Sequence, residues 1–433
     1  MIRFAVLFFP GSKPESETVR AFSRSGMEAE QFPWNDPLLL EEGRLEDFDG
    51  YCLVGKWNGE RGDRLGAIAA RDPVMETIKK EASKGKVVLG IGRGAEILAE
   101  SGLIPGYDSL ELACAVVWTG MPQEGRGAEA GIRDRGIHLK SIAPKNRSAF
   151  NSVAGLLELP FGHGEGQFVF GNPATLKALR GNGQILFQYC DERGKAKASA
   201  PLLPGGSNEA IAALCNPAGN VMAIISHPGR DPLGGGDAIF ASIREWIGGK
   251  VKVAHNRLGK LQIPEDIRPF EPADLEFLVR PKKPDPLERS MEAVLGKAGF
   301  KVALTRYDYW SVKLFLGMDP KGMALQILRS GVIADVGSQW VTTRIGKEVY
   351  SYSPEKGLQP IEMSPERWLV VRERFDSVGE WKAEEVRKQV RKEVESVGYG
   401  VLWDVEKADE KALYGIIRTK ILYNPNSMYI MKH

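Results

Sequence analysis

The feature that most constrains the fold is the segment Val87–Leu98, which reads VVLGIGRGAEIL. Its first half is a continuous apolar run, and its second half, from Gly94, has a helical pattern. Short apolar runs that pass through a tight turn into a helix are typical of central strands in α/β sheets. Gly92 is therefore predicted at a strand-to-helix turn, and a glycine has no side-chain atom that could attack a substrate.

Strands and helices alternate along the first half of the chain. Strands are expected at Phe4–Phe9, Tyr51–Val54, Lys86–Gly90, Ala113–Val117, Gly166–Phe170, Ile185–Tyr189 and Val221–Ile225. Helices are expected at Glu15–Ser25, Asp72–Lys84 and Ala238–Trp246. Continuous apolar strands that alternate with helices predict a doubly wound parallel sheet covered on both faces, in one α/β domain over residues 1–249.

The pattern changes after residues 250–273, a stretch rich in proline and polar residues that we interpret as a linker. Beyond it, strands are expected at Leu275–Arg280, Lys301–Thr305, Ser311–Leu316 and Ser338–Thr343, with helices from Asp285 to Lys297 and at Lys321–Arg329. This β-α-β-β-α-β order is typical of a ferredoxin-like α+β unit, which we place at residues 274–350.

A second pass of the same pattern occupies residues 351–433. It begins with a strand at Arg367–Val371 and continues with a helix at Trp381–Val397, a strand at Tyr399–Trp403 and a helix at Lys411–Leu422. Because the two passes have similar lengths, the pattern predicts a tandem repeat of two ferredoxin-like units. The two sheets are expected to pack against each other.

Composition argues against several classes of function. The net charge is +2, so neither nucleic acid nor a membrane is expected as a partner. The first apolar run is too short to cross a membrane, and no secretory signal is expected. Four widely spaced cysteines without a CxxC pair argue against a zinc site or a disulfide framework and favour a reducing cytoplasm. With five histidines in the chain, we expect no metal site, and we expect no cofactor.

Five segments of the first half occur together in one known family. They are Phe8–Ser12 (FFPGS), Leu65–Met75 (LGAIAARDPVM), Gly162–Phe168 (GHGEGQF), Gly205–Val221 and Ser226–Arg230 (SHPGR). In this order and spacing they resemble the glutaminase subunit of phosphoribosylformylglycinamidine synthase, a class I glutamine amidotransferase of purine biosynthesis. The resemblance covers roughly the first 250 residues and implies a flavodoxin-like fold.

The resemblance also assigns the family's catalytic positions. Its nucleophilic cysteine aligns with Gly92, its histidine base with His227, and the carboxylate that orients the histidine with Gly229. The glycine pair that forms the family's oxyanion hole aligns with Gly55 and Lys56. Such triads require all three groups in hydrogen-bond reach. Only the base remains in this chain, so no catalytic residue is expected.

Two residues of this predicted pocket have open roles. His227 either caps the end of a strand through a backbone hydrogen bond or retains a part in binding a ligand. Arg93 opens a helix, where backbone N–H groups favour anions, so with His227 and the two oxyanion positions it is a candidate to bind a small anion or glutamine. The alternative is a surface salt bridge between Arg93 and Glu96 or Glu60.

The second half resembles the small ferredoxin-like subunit of the same synthase. The matches are Ile327–Asp335 (ILRSGVIAD), the helix start at Asp285–Pro286, and Lys420–Pro425 (KILYNP). In that family the small subunit is a dimer that links the glutaminase to a large synthetase subunit, so two copies in one chain imply an internal dimer. The alternative is an unrelated α+β domain with chance matches.

These observations favour a catalytically inactive accessory subunit that scaffolds a large ATP-dependent synthetase-like subunit of the same pathway. Two alternatives stay open. One is a ligand sensor that uses the emptied glutaminase pocket. The other is an active amidotransferase with relocated catalytic residues, for which Ser101 is the nearest hydroxyl to Gly92 in the sequence.

Overall fold

The structure is a computed structural model, and it describes residues 1–9, 16–41, 43–55, 64–118, 135–153, 155–161, 165–196, 208–230, 235–249, 257–363 and 367–432. The chain divides into two compact units. The first comprises Met1–Arg61 and Leu65–Ile263, and the second comprises Gly62–Arg64 and Pro264–His433. In the described residues each unit is built on a nine-stranded sheet.

The first unit contains eleven strands and six α-helices among the described residues, labelled in chain order. Its strands are β1 (Arg3–Phe8), β2 (Glu28–Pro33), β3 (Gly50–Gly55), β4 (Val87–Gly92), β5 (Ala115–Trp118), β6 (Arg135–Ser141), β7 (Leu156–Phe161), β8 (Glu165–Val169), β9 (Ile185–Cys190), β10 (Ile211–Cys215) and β11 (Val221–Ile224). Its helices are α1 (Ser16–Arg24), α2 (Leu65–Ala69), α3 (Pro73–Ser83), α4 (Arg93–Glu100), α5 (Pro173–Gly181) and α6 (Asp237–Ile247). The order of strands in the large sheet is β2-β1-β3-β4-β11-β10-β9-β6-β7.

This large sheet is mixed rather than wholly parallel. Strands β2, β1, β3, β4 and β11 run parallel, whereas β10, β9, β6 and β7 run antiparallel to their neighbours. The prediction of a parallel sheet is therefore wrong for one half. The reason is local: the turn Asn216–Asn220 joins β10 to β11, and only antiparallel strands can be joined by so short a connection.

The sequence pattern did not predict four strands of the first unit, namely β2, β6, β7 and β10. The two strands expected at Ala113–Val117 and Gly166–Phe170 correspond to β5 and β8, which pair with each other in a separate two-stranded sheet. The predicted α/β class of the first unit is nevertheless confirmed, because its parallel half has the expected strand-helix alternation.

The parallel half of the sheet positions the site. All six residues of β3 and all six of β4 are buried, which explains why both strands read as continuous apolar runs. Strands β3, β4 and β11 are hydrogen-bonded neighbours with the same direction. Their carboxyl ends therefore meet at one edge, where ligands bind in open α/β sheets.

The second unit contains the remaining elements. Its strands are β12 (Ile267–Pro269), β13 (Leu275–Pro281), β14 (Ala303–Leu314), β15 (Gln339–Ile345), β16 (Glu348–Ser353), β17 (Gly357–Pro360), β18 (Trp368–Glu373), β19 (Val394–Glu406) and β20 (Met428–Lys432). Its helices are α7 (Pro286–Lys297), α8 (Pro320–Ser330), α9 (Ser377–Gln389) and α10 (Glu410–Arg418). The order of strands is β12-β20-β18-β19-β14-β13-β15-β16-β17.

The second unit is a tandem repeat, as the sequence predicted. The succession β13-α7-β14-α8-β15 recurs as β18-α9-β19-α10-β20, and in each copy the first strand lies between the other two and antiparallel to both. The long strands β14 and β19 pair antiparallel from Ala303 opposite Glu406 to Leu314 opposite Val394. The two copies therefore share one continuous sheet.

Three details of the prediction for the second half are wrong. The strands expected at Lys301–Thr305 and Ser311–Leu316 are one strand, β14, because the residues between them, 306–310, stay paired with residues 399–403 of β19. The helix expected at Trp381–Val397 runs from Ser377 to Gln389, since the residues from Val394 onward pair with β14 and form β19. The two sheets join edge to edge rather than face to face, which satisfies the backbone groups of two long edges.

Within the described ranges, no helix is long and apolar enough to cross a membrane.

Candidate functional site

Gly92 lies at the strand-to-helix turn predicted from the sequence. It ends β4 and immediately precedes α4, with φ 58° and ψ −112°. Residues with a side chain rarely adopt this backbone conformation, and glycine reaches it because it has no Cβ that would clash. In hydrolases a strained turn of this kind presents a nucleophile at the top of the sheet. Here the turn is kept, and the residue that it presents has no side chain.

His227 lies directly beside this turn. It follows β11, the parallel neighbour of β4, and its side chain is 1% exposed. A Cβ atom placed on Gly92 would lie 3.2 Å from Nε2 of His227. The structure therefore brings together the two residues that align with the family's nucleophile and base. The His227 backbone N–H also donates to the carbonyl of Pro160 at 3.2 Å.

Gly55 closes the other side of the turn. It ends β3 opposite Gly92, and its carbonyl oxygen would lie 2.9 Å from a Cβ placed on Gly92. A Cβ on Gly55 itself would meet Cβ of Arg93 at 2.9 Å. Gly55 therefore allows β3 and α4 to approach closely. Its predicted partner in the oxyanion pair, Lys56, lies outside the described residues, and so do Glu60 and the Gly162–Gly164 part of the glycine-rich motif.

Helix α4 packs directly on β3 through Gly94. A Cβ on Gly94 would lie 2.0 Å from the carbonyl oxygen of Leu53, so no other residue fits there without moving the backbone. This contact fixes the start of α4 relative to the sheet. Gly94 therefore has a packing role.

The position that aligns with the orienting carboxylate has no side chain, and the space beside it is filled. Gly229 lies in a short 3-10 turn that follows His227. A Cβ on Gly229 would lie 2.7 Å from Oγ1 and 2.8 Å from Cα of Thr18, a buried residue of α1. The space that the first atom of a side chain needs is therefore filled by helix α1. Sequence reasoning missed Thr18, because nothing in the local pattern links two residues so far apart in the chain.

Arg93 forms a salt bridge with Glu96, one of the two partners expected, but the pair is buried rather than at the surface. Its Nη1 atom lies 2.8 Å from Oε2 of Glu96 one turn along α4, and the two side chains are 4% and 12% exposed. Glu96 in turn packs against Gly66 of α2, where a Cβ would lie 2.5 Å from its Oε1. The pair is thus held between two helices, with the guanidinium charge balanced inside the protein.

None of the other nucleophile candidates lies in a reactive setting. All four cysteines are buried and free of disulfides. Burial raises the pKa of the Cys114 thiol, and it raises the pKa of Cys215 to about 12, so these groups stay protonated. Ser101 is 5% exposed and donates to the carbonyl of Leu98 at 2.9 Å, as the cap of α4. Within the described parts of the chain, no group of three histidine, cysteine, aspartate or glutamate residues could hold a metal ion.

Comparison with known proteins gives one family model and several similar proteins. A family model described as a CobB/CobQ-like glutamine amidotransferase domain matches residues 1–233. Phosphoribosylformylglycinamidine synthase subunit PurQ of Methanothrix thermoacetophila is 35% identical over 53% of this chain and 86% of the relative. The PurQ subunit of Thermomicrobium roseum is 34% identical over 59% of this chain and 99% of the relative. A chain in the structure of PurLQS from Thermotoga maritima is 25% identical, with a TM-score of 0.41, over 57% of this chain and 99% of that chain.

Proposed function

The chain belongs to the family of CobB/CobQ-like glutamine amidotransferase domains, and from that premise we propose that it is an accessory subunit without glutaminase chemistry. The observation that carries this proposal is the turn at Gly92, which keeps the strained geometry of a nucleophile turn and presents no nucleophile. Its relatives named PurQ are subunits of phosphoribosylformylglycinamidine synthase. We propose that this chain serves a complex of the same kind.

The chemistry that is lost can be stated step by step. A triad-type glutaminase needs a thiolate to attack the carboxamide carbon of glutamine, a base to take the thiol proton, and a donor that returns it to the leaving ammonia. A water molecule then hydrolyses the thioester to glutamate. With glycine at position 92 the first bond has no atom to form it, so His227 has no thiol from which to take a proton.

Two further features support the loss of glutaminase chemistry. Gly229 supplies no carboxylate for His227, and Thr18 fills the space beside it. Arg93 and Glu96 neutralise each other in the interior, so the proposed function includes no capture of a free anion by Arg93. The departures from the family's pattern thus fall on the reacting groups, whereas the packing glycines Gly55 and Gly94 keep the scaffold.

We further propose that residues 1–249 form the glutaminase-like domain and that residues 274–350 and 351–433 are two copies of the small ferredoxin-like subunit. The single sheet made by β14 and β19 supports an internal dimer. Covalent linkage raises the effective concentration of the two copies to about the millimolar range, so no second chain is needed. Such a chain would scaffold a large ATP-dependent synthetase-like subunit.

The test is a direct binding and activity experiment with the full chain and the large synthetase subunit from the same cells. We expect the two proteins to elute together in size-exclusion chromatography and light scattering at micromolar concentrations. In that complex, ammonium salts should support product formation and glutamine should not. Separate elution would overturn the scaffolding role, and glutamine-dependent turnover would overturn the loss of chemistry.

A further inference from the structure

The two copies in the second unit match in local detail, which makes each copy an internal reference for the other. At the end of α8 the hydroxyl of Ser330 donates to the carbonyl of Ile327 and accepts the N–H of Val332. At the end of α10 the hydroxyl of Thr419 makes the same two contacts, with Ile416 and Ile421. A local feature present in only one copy is therefore not required by the shared fold.

Further matches follow these two hydroxyls. Gly331 and Lys420 have left-handed φ values of 73° and 56° at the next position. The side chains of Asp335 and Asn424 each accept a backbone N–H two residues later, at 3.0 Å in both cases. All four helices of the tandem repeat also begin with an aspartate that accepts a backbone N–H of the first turn, namely Asp285, Asp319, Asp376 and Asp409.

One local difference is the turn between the long strand and the next helix. In the first copy Phe315, Leu316 and Met318 occupy this turn, and they are 52%, 103% and 37% exposed. In the second copy the same connection is only Lys407 and Ala408 before the cap Asp409. Since the second copy folds in the same way without apolar side chains there, the fold alone does not account for those of the first copy. We call residues 315–318 the apolar turn.

The apolar turn is held in place rather than loosely attached. The N–H of Phe315 donates to the carbonyl of Glu393 at 3.1 Å, and the N–H of Met318 donates to the carbonyl of Phe315 at 3.4 Å. The next residue, Asp319, caps α8 by accepting the N–H groups of Lys321 and Gly322. Three large apolar side chains on a fixed turn form a preorganised projection, which lowers the ordering cost of binding.

A basic segment borders the apolar turn. Residues 387–392 read RKQVRK, with four cations and no carboxylate, and they lead directly to Glu393, whose carbonyl holds Phe315. Nε of Arg391 donates to Oε1 of Gln326 at 2.9 Å, so the segment lies against α8. Lys313 precedes the turn and is exposed. The surface is an apolar centre with a predominantly basic border, in which Asp319, Glu393 and Glu395 are carboxylates among the cations. This combination fits an apolar hollow bordered mainly by carboxylates.

We propose that the apolar turn and the adjacent basic segment are the surface by which this chain docks on the large synthetase-like subunit, with Leu316 as the central contact. This inference rests on the proposed function, which supplies the partner. A second copy of this chain is disfavoured as the occupant, because two such surfaces facing each other would oppose their basic segments. The partner surface is identified by its chemistry: an apolar hollow with an acidic rim.

The experiment compares two full-length variants with the same new residue, Leu316→Asn and Lys407→Asn, against the purified large subunit. The second variant changes the exposed residue of the equivalent turn in the other copy. We expect Leu316→Asn to weaken binding by about 30-fold, the effect of removing a central apolar contact, and Lys407→Asn to leave the Kd within about twofold. Leu316→Met should retain binding, and equal melting temperatures would show that all variants fold.

The outcomes separate this inference from the proposed function. If the wild type binds the large subunit and Leu316→Asn binds equally well, the docking surface is wrong and the scaffolding role stands. If the wild type does not bind, both fail. Binding to vesicles of anionic phospholipid that Leu316→Asn abolishes, or self-association that it abolishes, would overturn the proposed occupant.

Discussion

A Cβ atom on Gly92 would lie 3.2 Å from Nε2 of His227, so the backbone still aims the turn of β4 at the histidine. The same atom would lie 2.9 Å from the carbonyl oxygen of Gly55, closer than a methyl group tolerates. The geometry of a nucleophile turn therefore persists around a residue that could not now be enlarged without a shift of β3. This pair of distances supports the proposal that the site has no glutaminase chemistry.

The first prediction concerns the strain at this turn. Gly92→Ala should lower the free energy of unfolding by about 2–4 kcal/mol, because the side chain meets both an unfavourable φ and the Gly55 carbonyl. Gly183→Ala is the matched control in the same unit, since its φ is 62° and its nearest neighbour would lie at 3.4 Å. It should cost only about 1 kcal/mol. Urea unfolding measures both, and equal losses would contradict the close contact.

The second prediction concerns the filled space at Gly229. Gly229→Ala should lower the free energy of unfolding by about 1–3 kcal/mol, since its Cβ would press on the backbone of α1 at Thr18. Gly181→Ala is the control: this glycine ends α5 with nothing within 4 Å of its Cβ position, so alanine should stabilise the helix by about 0.5 kcal/mol. A neutral Gly229→Ala would show that the space is open.

The same contact predicts the outcome of an attempted reconstruction. The double variant Gly92→Cys, Gly229→Glu should release no ammonia from glutamine above background, because each new Cβ would press on a backbone atom, the Gly55 carbonyl oxygen at 2.9 Å and Cα of Thr18 at 2.8 Å, and displace the turn. Colorimetric detection of ammonia checks this, with melting temperature as a measure of folding. Turnover within about 100-fold of an active PurQ relative would show that only the side chains, and not the space, are missing.

A further prediction concerns the buried ion pair in the second unit. Glu276 is 1% exposed; it accepts the hydroxyl of Tyr309 at 2.9 Å and pairs with the guanidinium of Arg344. Burial, followed by the charge of Glu276, raises the pKa of Tyr309, so this hydroxyl keeps its proton. Glu276→Gln should cost about 3–5 kcal/mol, because it leaves Arg344 buried without its counter-charge.

The control for that variant is an exposed pair of the same unit. Glu410 is 74% exposed and lies 3.1 Å from Nζ of Lys432, so Glu410→Gln should cost less than about 1 kcal/mol. Urea unfolding of the second unit distinguishes the two. A loss at Glu276 no larger than that at Glu410 would mean that the buried pair contributes no more than a surface pair does.

Much of the first unit could be predicted from its sequence because its signals are local. The apolar runs of β1, β3 and β4 and the turn at Gly92 are each encoded within a dozen residues. Strands β6, β7 and β10 lie in the antiparallel half and were not predicted. In β6 (Arg135–Ser141) apolar and charged residues are mixed, so its local signal is weak. In β10 (Ile211–Cys215) the run is apolar and buried, so that strand was missed although its local signal is present. The contact of Thr18 with Gly229 is set by how α1 packs near the end of β11, which no local pattern encodes.

In the second unit the sequence predicted the tandem repeat, but it did not predict that the two copies pair through β14 and β19. The two copies share local signals such as the aspartate caps, which the sequence carries directly. The merging of two expected strands into β14, and the early end of α9, both follow from the long pairing of β14 with β19. Pairing between distant segments overrides local propensity, so this part of the fold required the structure.

We propose that the chain has kept a glutaminase scaffold without glutaminase chemistry. The most direct test measures ammonia release from millimolar glutamine by the full chain, alone and in complex with the large synthetase subunit. We predict a rate indistinguishable from that of buffer in both cases, because no side chain stands at position 92 to attack the carboxamide. Glutamine hydrolysis at rates of about 1 per second, abolished by His227→Ala, would contradict the account.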